Sequence, residues 1–174
     1  SSLNDHEGTI VKEETSVERM LISGVALDRN TARISVIGLK DEPGIAFKLF
    51  NLLAKDNINV DVILQSIGRE NSKDISFTVS RDDADNAVKI LEDNMNRIGG
   101  KSISCRKDVA KVSIVGAGMM SNPGVAAKMF EALYNNNINI SMISTSEIRV
   151  TVLIDERDAE RAVNAVHDAF GLEE

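Results

Sequence analysis

Residues 41–66 read DEPGIAFKLFNLLAKDNINVDVILQS, and residues 121–146 repeat the pattern as SNPGVAAKMFEALYNNNINISMISTS. Pro43 and Pro123, Gly44 and Gly124, Ile58 and Ile138, and Ser66 and Ser146 are each 80 positions apart. A constant offset held over 26 residues is not chance similarity. It marks one supersecondary unit used twice.

Each copy reads the same way. Proline fits the first turn of a helix, where its missing N–H has no intrahelical partner, so helices are expected to open at Pro43 and Pro123. Asp41, and Ser121 or Asn122, stand where a capping side chain belongs. Ile45, Leu49, Leu52 and Leu53, like Val125, Met129, Ala132 and Leu133, fall at i, i+4, i+7 and i+8, the apolar stripe of an amphipathic helix. Asn57 and the Asn136–Asn137 pair end these helices. The period then drops from 3.6 to 2, which predicts Val60, Val62 and Leu64, or Ile138, Ile140 and Met142, on one side of a strand.

Outside the repeat, residues 20–27 are strand-like and residues 28–31 carry a turn signal. Ala32, Ile34 and Val36 alternate in a strand expected to end at Gly38. The Gly-, Asn- and charge-rich run 68–74 predicts a long, open hairpin before the strand of Ile75, Phe77 and Val79. Ala84, Ala87, Val88, Leu91 and Met95 mark a second helix stopped by Gly99–Gly100, and Ile103 and Cys105 make a closing strand. The order is β-α-β-β-α-β, an α+β fold in which an antiparallel sheet carries both helices on one face, the ferredoxin-like arrangement.

The second half restarts at residues 112–116 and stops after a helix with Ala159, Ala162, Val163, Val166 and Phe170, one strand short. The strand at 20–27 has no unit of its own. The expected organisation is therefore a first domain at 31–107 and a discontinuous second domain of 17–28 plus 109–171, with 1–16 as a polar linker. Two domains suit 174 residues, and units that small bury only about 60% of their unfolded surface, so the halves are expected to lean on each other or on a partner chain.

A net charge of −7 and a pI near 4.9 argue against a nucleic-acid or anionic-membrane surface, both of which require clustered Lys and Arg. Aromatic residues make up 3%, with no Trp and one Tyr, too few for a base-stacking platform. The single Cys105 excludes an internal disulfide, fits a reducing cytoplasm, and in SISCR is expected to be a small buried hydrophobe. His6 and His167 lack metal-ligand spacing, and no metal or other cofactor is expected. No apolar run of about 18 residues implies a membrane span. The Ser-Ser start, without Met, suggests a piece of something longer, or a processed or tagged chain.

A strand that ends in Gly and passes through a polar turn into a helix N-terminus offers free N–H groups and a favourable dipole to a carboxylate. Gly44 and Gly124 allow close approach, and Asp41, Gln65, Asn139 and Ser146 offer acceptors for an ammonium group. A free amino acid needs both. The plainer reading is that Pro-Gly only starts a helix. The copies also differ: five positions separate Gly38 from Pro43, seven separate Gly116 from Pro123, and the second hairpin is five residues shorter. Gly116-Ala-Gly118 followed by Gly124 fails the spacing of a dinucleotide fingerprint. The acidic runs at Asp82-Asp83-Ala-Asp85 and Asp155-Glu156-Arg-Asp158 read as helix caps, not as a metal site. No nucleophile–base pair stands out.

The double PG repeat, LQS and STS at the ends of the second strands, SIVGAGM, and STSEIRVTVLID before a helix together resemble the tandem ACT domains of aspartokinase over residues 17–170. The leader SSLNDHEGTIVKEE resembles the segment that leaves that family's kinase domain. The resemblance implies a regulatory region, either a fragment of the long subunit or an independently translated short one, that does not catalyse by itself. It would bind the end products lysine, threonine or both and restrain the ATP-dependent phosphorylation of aspartate. It implies an effector site of Asp41, Pro43, Gly44, Ile45, Ala46 and Gln65, completed by Asn139 and Ile140 of a partner chain's second domain. A second pocket would use Met120, Ser121, Gly124, Val125, Thr145 and Ser146 with Asn59 and Val60. The implied partners are a second copy of the chain and the aspartokinase catalytic domain or subunit. The alternative is an ACT-type assembly or dimerisation module that binds nothing. A stand-alone enzyme of the acylphosphatase kind lacks the clustered Arg and Asn its chemistry needs.

Overall fold

The change of period after each repeated helix corresponds to real strands. In a computed structural model of the chain, which describes residues 22–117 and 122–172, these strands lie in two four-stranded sheets. The elements are β1 (Ile22–Asp28), β2 (Ala32–Lys40), α1 (Ile45–Lys55), β3 (Ile63–Ile67), β4 (Ser72–Val79), α2 (Ala84–Asp93), α3 (Met95–Ile98) and β5 (Ser102–Arg106). They continue with β6 (Val109–Gly116), α4 (Val125–Asn135), β7 (Ile140–Thr145), β8 (Arg149–Asp155) and α5 (Ala159–Ala169). The leader 1–16 lies outside the described residues.

One compact unit is residues 29–110, with strand order β3-β4-β2-β5. In the other, residues 22–28 join residues 111–172 in the order β1-β6-β8-β7. Each order is that of a ferredoxin-like sheet, with the two strands that lead into the long helices side by side in the middle and the other two at the edges. In the second unit the strand beside β6 is β1, antiparallel from Gly24 opposite Val115 to Asp28 opposite Lys111. In the first unit, Ile34, Val36, Ile75 and Phe77 of the sheet meet Ile45, Leu49 and Leu53 of α1 and Ala84, Ala87 and Leu91 of α2, all buried. Phe50 packs edge-on against Phe77, with ring centroids 5.3 Å apart.

The repeated helices end by one mechanism. The N–H groups of Asn57 and Ile58 donate to the carbonyls of Ala54 and Leu53, and those of Asn137 and Ile138 donate to Tyr134 and Leu133. This is a Schellman closure, with Asn57 and Asn137 left-handed at φ 57° and 53° and with Ile58 and Ile138 buried over the last turn. Asparagine stands where glycine is usual because it tolerates this conformation better than other side chains.

Several expectations are corrected. Neither proline opens a helix: the first intrahelical acceptors are the carbonyls of Gly44 and Gly124, and neither helix has a side-chain cap. β2 does not end at Gly38. That residue, at φ 72°, makes a bulge with its N–H donated to Asp74 Oδ1 at 2.8 Å, and the strand continues to Lys40. The hairpin is tight, because Gly68 donates to Ser72 O and Glu70 and Asn71 both take positive φ, leaving four residues, 68–71, between the strands.

The face assignments also shift. Leu64 lies opposite Ser76, on the face away from the core residues Ile75 and Phe77, whereas Val60 packs against that core. In β7 a register shift between Ile140 and Met142 places them opposite Ile154 and Leu153, neighbours that point to opposite faces. Cys105 is exposed, not buried. It lies opposite Ile34 on β5, but β5 is a sheet edge and leaves the thiol uncovered. Partial desolvation still pushes that thiol above its ordinary pKa, with Lys107 opposing the shift and Asp85 adding to it.

Candidate functional site

The two Pro-Gly turns take one conformation. Gly44 sits at φ 89° and Gly124 at φ 98°, and each accepts the first helical bond, from the N–H of Lys48 and of Lys128, at 2.9 Å. The first N–H groups of α1 and α4 therefore have neither an intrahelical acceptor nor a side-chain cap. The acidic runs behave differently. Ser80 Oγ accepts from the Asp83 N–H and donates to the Asp83 carboxylate, while Asp155 accepts from the Arg157 N–H, so these helix starts close on themselves. Among the described residues no three His, Cys, Asp or Glu side chains could share a metal ion. No described helix is long and apolar enough to cross a membrane.

A Cβ added at Gly44 or Gly124 would meet nothing within 4 Å. Glycine is needed there for its backbone conformation, and the space in front of the turn is open.

In the second unit this space is a cavity of about 250 Å³ that brings together Gly124, Val125, Thr145 and Ser146, with Asn122 and Ala126. Thr145 takes part because it lies opposite Val150, on the helix-facing side of an edge strand. Met120 and Ser121 lie outside the described residues. Asn59 and Val60 belong to the other unit. A further cavity of about 220 Å³ on the same turn is lined by Ile22, Lys128 and Phe170, with the Lys128 ammonium 5.2 Å from the centre of the Phe170 ring.

In the first unit Gln65 occupies the place of Thr145. It lies opposite Ile75 on the helix-facing side of the edge strand β3, exposed. Pro43, Gly44 and Ala46 are exposed, but Ile45 is 2% exposed and its side chain belongs to the core, which leaves only its backbone for a ligand. Asp41 is engaged already: its N–H donates to Asn71 O at 2.9 Å and its carboxylate meets Lys73 Nζ at 2.8 Å. Asn139 is exposed two residues after the left-handed Asn137, and Ile140 is half-buried opposite Ile154. Both lie in the second unit.

Sequence reasoning missed Ala126, which the 80-residue offset from Ala46 could have found, and gave Asn122 only as a capping candidate and not as part of the pocket. It also missed Lys73, which no motif marks. Lys73 reaches Asp41 because β4 places it opposite Leu39, two residues before Asp41.

The ACT-domain family profile matches residues 34–95 and 112–170, both repeats. An aspartokinase of Pseudomonas aeruginosa is 47% identical over 165 residues, covering 95% of this chain and 40% of that protein. An aspartate kinase of Stutzerimonas stutzeri is 44% identical over 174 residues. The chain spans about 42% of the length of that curated relative. Among solved structures, the ligand-free regulatory subunit of aspartate kinase from Thermus thermophilus is 47% identical, with a TM-score of 0.81, covering 86% of this chain and 99% of that one. The aspartate kinase of Synechocystis superposes with a TM-score of 0.83 at 40% identity, with 27% of its length covered.

The chain belongs to the ACT-domain family, and within it to the tandem-ACT regulatory region of the aspartokinases. Its residues correspond to the regulatory part of those proteins and not to the catalytic part.

Proposed function

We propose that this regulatory region senses an end-product amino acid, threonine or lysine, and transmits its binding as feedback inhibition of aspartate phosphorylation by an aspartokinase catalytic part. The observation that carries the reading is the cavity in the second unit, where an uncapped helix start and the hydroxyls of Thr145 and Ser146 meet around one space. At about 30 Å³ per water, that space holds about eight waters, the scale of a free amino acid. The N–H groups suit the ligand carboxylate, and the hydroxyls suit its ammonium. In the first unit Asp41, Gly44, Ala46 and Gln65 supply the same chemistry with a carboxylate as acceptor, and Asn139 with Ile140 of a partner chain would close it.

A partner chain is supported by exposed apolar side chains on and beside both edge strands, Ile63 and Ile67 in one unit and Ile143 and Ile148 in the other. Such edges favour pairing with another copy. In this reading the sensor works as a two-fold dimer with equivalent sites.

Melting the purified chain with threonine and with lysine separately tests the proposal. A ligand at about 100 times its Kd adds about 2.7 kcal/mol to the folded state, a clear rise in Tm. An unchanged Tm with both amino acids at millimolar concentration would leave the assembly role alone.

A further inference from the structure

We propose that Lys73 is a built-in competitor for the effector's ammonium group at Asp41. This rests on the reading of Asp41 as the ammonium acceptor of the first effector site. The Lys73 ammonium already stands where a ligand ammonium would, 2.8 Å from Asp41 Oδ1. Its side chain is 12% exposed against 53% for Asp41, so the lysine is packed beneath the carboxylate, which faces solvent.

The pair is set by the sheet. Lys73 lies opposite Leu39 and Ser72 opposite Lys40 in the β2–β4 ladder, and the bond from the Asp41 N–H to Asn71 O ties the start of the turn to the same hairpin. The carboxylate is therefore held over the lysine by backbone as well as by charge. A closed Asp41–Lys73 pair is neutral, with one oxygen occupied. An arriving ammonium must displace the lysine or share the carboxylate with it, against the repulsion of a like charge at short range.

In the sequence of the second unit, neither residue of the pair is repeated at the corresponding position. The 75-residue offset that relates Val79 to Ile154 puts Ile148 at the place of Lys73, and the repeat puts Ser121 at the place of Asp41. The two sites would thus differ in their demand for a cationic group: the first admits only effectors that out-compete an internal ammonium, and the second applies no such filter.

The test is calorimetric titration of the full chain with threonine and with lysine, comparing the native protein with Lys73→Met, Lys73→Gln and Lys73→Arg. The proposal expects the Met and Gln variants to bind the effector about three- to fivefold more tightly, the scale of a partly exposed ion pair, and the Arg variant to bind as the native chain does. A gain in affinity is not what damage to the strand would produce, and two replacements guard against misfolding of one. Equal or weaker binding in the folded Met and Gln variants, with the native chain still binding, would overturn the role of Lys73 and leave the effector site standing. No binding by any of the four chains would overturn both.

Discussion

Ser113 and Thr151 share a hydrogen bond of 2.8 Å between hydroxyls that are 3% and 6% exposed, on the neighbouring strands β6 and β8. Ser35 and Ser76, opposite each other on β2 and β4, make the same contact at 2.7 Å in the other unit. The buried Ser113 and Thr151 hydroxyls satisfy each other because neither can reach water, whereas Ser35 and Ser76 are half-buried. Thr151→Val should cost about 1–3 kcal/mol by leaving the Ser113 hydroxyl unpaired, and adding Ser113→Ala should recover most of that loss. Urea melts of the two single variants and the double variant measure it. Additive losses would mean that the hydroxyl pair contributes nothing as a pair.

β1 supplies the ladder partner of β6 from Gly24 to Asp28. Without residues 17–28, the N–H and C=O groups of β6 on that side lose their partners and Ile22 leaves the core, so the second unit should no longer unfold cooperatively. Calorimetric scans of the truncated and intact chains test this, and superimposable melts would contradict it.

The left-handed asparagines give a local test. Asn137→Val should destabilise by about 1–2 kcal/mol, the cost of forcing a branched side chain to positive φ, while Asn137→Gly should change stability by only a few tenths of a kcal/mol. Equal melting temperatures for the two variants would mean that the turn relaxes to another conformation.

In an enzyme carrying both catalytic and regulatory parts, Gly44→Asp and Gln65→Ala should leave kinase activity in place and abolish or weaken its response to the end product. The first change sets a negative side chain in the open space before the α1 start, and the second removes an exposed amide from the helix-facing side of β3. Aspartate phosphorylation assayed across threonine and lysine concentrations reports the response. Native inhibition curves in both variants would place the effector elsewhere.

The repeat made much of the fold legible, because Ile45, Leu49 and Leu53, and Met129, Ala132 and Leu133, fall at helical spacing and are all buried. Strand faces were harder to read. Alternation counted from Val60 does not survive the irregular chain before Ile63, and the bulge at Ser141 separates Ile140 from Met142. The hairpin looked long because Ser72, Lys73 and Asp74 are poor strand formers, yet Ser72 and Lys73 pair with β2 beyond its bulge and Lys73 and Asp74 pair with β3. The helix starts were misplaced because proline and glycine both punctuate, and here glycine carries the conformation that opens the helix. At the turns, glycine and proline announced the backbone, whereas Lys73 reaches Asp41 only through strand register, which no local pattern encodes.

The most direct test of the sensor reading is isothermal titration of the intact chain with threonine and with lysine, run in parallel on Gln65→Ala. The reading expects saturable heat from one or both amino acids with the native chain, and a marked loss of affinity in a variant that melts normally. No heat from either amino acid, or an isotherm unchanged by Gln65→Ala and equally unchanged by Gly44→Asp and by Gly124→Asp, would contradict it.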